Sequence, residues 1–150
     1  MLLALLEMQY VKNQRIQEQI AGKVLRFHVL ANSDTAEDQN LKLAVRDAVG
    51  SRMAELLSDV QDREACEQVV EAHLPEIAET AQAVVREAGY EYEVHAAIEE
   101  TEFPSKTYGK FTFPAGKYEA LRVVIGEGEG HNWWCVLYPP LCFVDASSGI

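Results

Sequence analysis

The side chains able to do chemistry are scattered along the chain. Cys135 and Cys142 flank the stretch Val-Leu-Tyr-Pro-Pro-Leu. Either thiol could act as a nucleophile if folding set His28 or His131 beside it as a base. No local signature supports that arrangement, and a cysteine among tryptophan and valine in a strand is more often a core residue. Two prolines between the cysteines favour a turn that brings the sulfurs together. A disulfide there would contribute about 2–3 kcal/mol in the chain-entropy view and would persist only outside the cytosol. The alternative is two buried small hydrophobes. Sequence does not choose between the two. Cys66 falls inside a helical stretch and reads as an unpaired thiol.

Metal chemistry needs clustered ligands. His28, His73, His95 and His131 lie far apart, and neither CxxC nor HxxxH spacing occurs. No metal or other cofactor is expected. Gly126-Glu-Gly-Glu-Gly130 has alternate glycines, but a phosphate cradle requires a following helix and no local negative charge. Here a strand-like run follows, and Glu127 and Glu129 repel phosphate. A mobile hairpin loop is the expectation.

What remains is a polar set near strand ends: Arg26, His28, Asn32, Asp34, Lys106, Tyr108, Arg122, Asn132 and Trp134. Arg26, His28 and Arg122 sit in otherwise apolar strands. If their faces coincide, they make a cationic patch beside aromatic groups, the chemistry of interaction hot spots. The plainer reading is a solvated sheet face with ion pairs to Glu91, Glu93 and Glu119.

The elements that would position these groups follow from periodicity. Residues 1–23 read as a weakly held leading helix ended by Gly22. Residues 24–31 alternate, with Leu25, Phe27 and Val29 against Arg26, His28 and Leu30, which predicts a strand with one covered face. Asp34 and Glu37 have capping-box spacing ahead of a helix over 36–57. Its buried stripe is Leu41, Val45, Ala48, Val49, Leu56 and Leu57. Residues 62–88 are helical, with a kink at Pro75 or a new helix starting there. Residues 90–99 form a strand with one wet face, Phe103-Pro104-Ser105 a linker, and 106–113 a strand bulged at Gly109. Residues 118–125 and 133–138 are expected to pair as a hairpin at the centre of the sheet. The class is α+β: an antiparallel sheet of four to five strands, in chain order β-α-α-β-β-β-β, with helices on one face.

The 150 residues suit one domain, taken as residues 24–150 behind the helical lead. Lysine and arginine number 13 against 24 acidic residues, a net charge of -11. Such a chain is repelled by nucleic acid and by anionic lipid. No apolar run is long enough to cross a membrane, so direct membrane insertion of the domain is not expected.

Two stretches carry a family resemblance. LRFHVLANSDTAEDQNLKLAVRDAV (residues 25–49) is similar to the opening motif of the stage II sporulation protein R family of endospore-forming bacteria. FPSKTYGKFTFPAGKYEALRVVIGEGEGHNWWCVLYPPLCFVD (residues 103–145) resembles that family's later signature, and the run NWWCVLYPPLCF is its most specific part. The resemblance spans about residues 24–145 and is weakest through 58–88.

This resemblance implies a protein made in the forespore and exported into the space between the two sporangial membranes. There it activates a membrane-embedded aspartic protease that processes the precursor of sigma factor E. It implies a signal and no catalysis, and residues 1–6 would be the remnant of an export segment. It also places Cys135 and Cys142 where pairing is chemically allowed. The polar strand-end set is the expected contact surface, and charge reversal at Arg26 or Arg122 is expected to reduce activation while sparing the fold. The rival expectation is an extracytoplasmic hydrolase acting on cell-wall material or peptide, with His28 and Cys142 or Asp34 in catalytic roles.

Overall fold

The computed structural model describes residues 2–108 and 110–141, with Tyr108 and Phe111 described by backbone alone. In chain order the elements are α1 (Leu2–Ala21), β1 (Leu25–Leu30), α2 (Ala36–Leu56), α3 (Arg63–Ala72) and α4 (Leu74–Glu87). Strands β2 (Val94–Phe103), β3 (Lys106–Tyr108), β4 (Phe111–Phe113), β5 (Gly116–Ile125) and β6 (Asn132–Tyr138) follow. The class is α+β, with the helices on one side of a four-stranded sheet ordered β2-β5-β1-β6.

The sheet is mixed, because β1 runs parallel to β5 and antiparallel to β6. The expected β5–β6 hairpin therefore does not form: β1 lies between the two strands. The cause is burial. All six residues of β1 are buried, on both faces, whereas β6 begins exposed at Asn132. The strand with the most apolar surface to hide takes an inner position. The glycine-bearing segment 126–131 is consequently a crossover that passes over the end of β1. It is fixed there by Gly130 N–H donating to Ala31 O at 3.0 Å and Glu129 N–H to Asn32 O at 3.2 Å.

Other elements match the periodicity with local shifts. Pro75 starts a new helix, since α3 ends at Ala72 and α4 opens with proline in its first turn. The cap of α2 is Thr35, whose hydroxyl accepts from Asp38 N–H, and not Asp34. The buried stripe of α2 comprises Leu41, Val45, Val49 and Met53, together with Asp38 and Lys42. The strand expected over 90–99 spans Val94–Phe103, so Phe103 is its buried last residue and not a linker. Lys106–Tyr108 and Phe111–Phe113 pair as the small antiparallel ribbon β3–β4 in place of one strand over 106–113. Among the described residues, no helix is long and apolar enough to cross a membrane.

Sheet alternation fixes which side chains share a face. Leu25, Phe27 and Val29 pack with Leu121, Val123 and Cys135 beneath the helices. Arg26, His28, Ala120, Arg122 and Trp134 occupy the opposite face. That face is not the solvated one expected from the sequence.

Candidate functional site

The expected polar set divides into a buried face and an exposed node at the strand ends. On the buried face, Arg26 is fully buried and His28 nearly so. The Arg26 guanidinium lies 4.1 Å from the Phe103 ring centroid, 4.7 Å from Tyr118 and 5.4 Å from Phe113. Rings of this kind attract a desolvated cation through their negative faces. Next along β1, the His28 imidazole stacks on the Trp134 indole, and Phe103 meets Trp134 edge-on at 4.5 Å.

Burial pushes the pKa of His28 from 6.5 down to about 4; Asn132 acts in the opposite sense, and the like charges of Arg122 and Arg26 depress it further. Neither ring nitrogen makes an aligned hydrogen bond. His28 is therefore a neutral core ring at neutral pH. Arg122, on the same face, is half-exposed and pairs with Glu99 at 3.1 Å. The three basic residues do share a face, but aromatic side chains cover Arg26 and His28. Reversing Arg26 would test folding, not docking. Lys106 is exposed on the β3–β4 ribbon. The side chain of Tyr108 and the pairing of Cys135 with Cys142 lie outside the described residues.

The exposed node is built where β1 and β5, parallel neighbours, both end. Loops leaving the carboxyl ends of these two adjacent strands converge. Here the β1–α2 loop (residues 31–35) meets the crossover. Asn32 joins them: its side-chain oxygen accepts from Glu127 N–H at 2.9 Å, and its amide donates to Asp38 Oδ2 at 2.9 Å. Ser33 Oγ also donates to Asp38 Oδ2, at 2.6 Å, and Tyr92 O–H donates to Asp38 Oδ1 at 2.9 Å. Burial works to raise the Asp38 pKa, but the hydrogen bonds from Ser33, Asn32, Tyr92 and Thr35 prevail and hold it below the ordinary value.

Asp34 binds both the backbone N–H of His131, at 2.7 Å, and its imidazole Nδ1. Those contacts, the side chain first, lower the Asp34 pKa. Lys42 closes the underside. Its ammonium donates to Gln39 Oε1 at 2.7 Å and to His131 O at 3.2 Å. Burial and then the Arg46 charge lower its pKa, with Asp34 opposing.

Close approach of the loops requires glycine at two positions. A Cβ on Gly126, where φ is +58°, would collide with the Asn32 side chain, and one on Gly130 would collide with the Ser33 carbonyl. These glycines serve loop-to-loop packing.

Asp38, Ser33, Tyr92, His131 and Lys42 stand outside the polar set chosen from sequence. One signal for two of them was available. Residues 38, 42, 45 and 49 fall on the buried stripe of α2, so a carboxylate and an ammonium at apolar-stripe positions announce a buried polar network.

The node does not assemble a nucleophile. Ser33 Oγ is engaged with Asp38, and the His131 side chain is 81% exposed. Cys66 is fully buried, and burial pushes its thiol up to about 11, far from the thiolate that reacts. Among the described residues, no cluster could hold a metal ion. A separate open cavity of about 880 Å³ lies at the other end of β1, lined by Lys23, Arg63, Glu67, Thr112, Phe113 and Tyr138. Arg63 there pairs with Glu119 and Glu67.

Comparison with known proteins agrees with the resemblance read from the residues. Residues 21–148 match the family described as stage II sporulation protein R. A curated relative, stage II sporulation protein R of Bacillus subtilis (strain 168), is 40% identical over 130 residues, covering 87% of this chain and 58% of the relative. The chain thus spans somewhat more than half the length of that relative. No solved structure matches. The matched span contains β1 with its loop, the crossover and β6, the elements that build the node. The chain belongs to the stage II sporulation protein R family.

Proposed function

We propose that the chain is an extracytoplasmic signalling domain of endospore formation. It docks on a membrane-embedded aspartic protease and favours the form that processes the sigma factor E precursor. The carrying observation is Asn32, which bonds the crossover and the buried Asp38 carboxylate at once. This fixes two loops against each other and presents Asp34 and His131 on a preorganised surface. Preorganisation lowers the ordering cost of binding. A ligand shifts a protease between states only by binding one of them better, and a few kcal/mol of difference moves the population substantially. The exposed acids suit a partner face that carries cationic groups.

Arg122, Lys106, Asn132 and the edge of Trp134 extend the candidate surface. Arg26 and His28 support it from beneath.

The test is reconstitution of purified domain, membrane protease and substrate in vesicles, with processing followed over time. Addition of the domain should raise processing. Asp34→Arg should reduce the effect at least about tenfold with an unchanged circular dichroism spectrum. Unchanged processing on adding the domain would overturn the reading, and normal activation by Asp34→Arg would remove the node from it.

A further inference from the structure

Strand β2 is at one edge of the sheet and is paired on one side only, with β5. The direction of its backbone groups can be read from three hydrogen bonds. Gly126 N–H donates to Glu93 O at 2.8 Å, so the Glu93 carbonyl points toward the β5 side. On the other side, the Gln82 side chain of α4 donates to Tyr92 O at 2.8 Å and accepts from Val94 N–H at 3.1 Å. Alternation along the regular β2–β5 ladder then sends the N–H and C=O groups of Ala96, Ile98, Glu100 and Glu102 outward.

The Gln82 amide makes the pair of bonds that one residue of an added strand would make. It donates to one carbonyl and accepts from the N–H two residues further on. It fills a single position. Past it, the outer edge over residues 96–102 is open among the described residues. Glu99, Glu100 and Glu102 are exposed along this edge, and Glu91 and Glu93 are exposed just before it. Of these carboxylates, Glu99 is bridged by Arg122.

We propose that the outer edge of β2 accepts an extended segment of another protein, with lysine or arginine at alternate positions, as a fifth strand of the sheet. Main-chain bonds supply affinity in this mode, and alternate side chains supply selectivity. The acidic edge decides between occupants. A second copy would set glutamates of one β2 against those of the other, in a chain of net charge -11, and like charges across a pair are destabilising. The same charges that resist self-pairing favour a cationic strand. The inference goes beyond the docking function, and the open edge over residues 96–102 shares no residue with the node.

The probe is a fluorescent peptide of about ten residues, the length of β2, alternating lysine and valine, with binding read by anisotropy. A second peptide carries N-methyl groups on the bonding edge. The protein variants are Glu100→Pro, which removes one outward N–H and no ladder bond, and Glu100→Gln, which changes charge alone. Saturable binding is expected, weakened at least about tenfold by N-methylation or by Glu100→Pro, and only about two- to threefold by Glu100→Gln. Equal binding of both peptides would mean attraction by charge without strand addition and would overturn the proposal. So would absence of binding. A concentration-dependent dimer abolished by Glu100→Pro would assign the edge to a second copy instead. The N-methyl comparison leaves the protein untouched, so it stands even if Glu100→Pro unfolds.

Discussion

The imidazole of His28 lies flat against the indole of Trp134, with ring centroids 3.9 Å apart and planes 12° from parallel. The pair joins β1 to β6 at register partners. It also holds a titratable ring in a site that favours its neutral form, which has a measurable pH signature.

Below pH 6.5 the unfolded chain protonates His28 while the folded chain resists until about pH 4. The unfolded state then binds more protons, so folding stability falls as pH drops through this window. The neutral ring carries no such penalty above it. The full loss is roughly 3 kcal/mol. Urea unfolding of wild type and His28→Phe between pH 4 and 7.5 checks this. The wild type should lose stability relative to the variant as pH falls, and parallel pH profiles would contradict it.

Arg26 is held by planar contacts with aromatic rings. Arg26→Lys keeps the charge and loses the flat guanidinium, and should lower stability by about 1–3 kcal/mol. Arg26→Glu should prevent folding, because a carboxylate would face the rings' negative surfaces without solvent. Chemical denaturation of the first variant and circular dichroism of the second measure these outcomes.

Asp38→Asn keeps the shape and removes the charge that accepts from Asn32, Ser33 and Tyr92. The expected cost is about 2–3 kcal/mol. The carboxylate's folded pKa is depressed, so its contribution holds above the ordinary carboxylate pKa and fades as pH falls through the depressed value. Hydrogen exchange should show faster opening of residues 31–35 and 126–131 together in this variant. Independent opening of the two loops would argue against Asn32 and Asp38 as their joint anchor.

Gly130→Ala pushes a methyl group into the Ser33 carbonyl and should destabilise by about 1–3 kcal/mol. Gly50→Ala in α2 meets nothing within 4 Å and should stabilise by about 0.5–1 kcal/mol. Opposite signs at the two glycines, read from melting midpoints, separate loop packing from helix propensity.

Thiol counting tests whether Cys135 pairs with Cys142. Native protein should react slowly at Cys66, which is buried and poorly ionised. Denaturation without reductant should expose one thiol if the pair is bridged and three if it is not.

The helices were legible because each buries one stripe at helical spacing: Leu41, Val45 and Val49 in α2, and Ile77, Ala81 and Val85 in α4. The pairing of strands was not. A parallel neighbour for β1 depends on segments about ninety residues apart, and alternation within one strand carries no information about which strand lies beside it. Arg26 and His28 looked exposed because alternation reveals that a face is polar, and aromatic residues from β2, β4, β5 and β6 hide it. Asn32 and Asp34 were identified by type, but their partners Glu127 and His131 lie in the crossover, about ninety-five residues further along the chain.

The parallel union of β1 with β5 has a temporal consequence. The segment Leu25–Leu30 is made well before the strands that flank it, since both its neighbours come after residue 115. Until then its unsatisfied backbone and apolar side chains have nowhere to settle. A chain stopped at residue 115 should be protease-sensitive throughout and should bind hydrophobic dyes. β1 is set in place only once β5 and β6 have followed it, so this stretch of the nascent molecule remains threadable until both strands have been made.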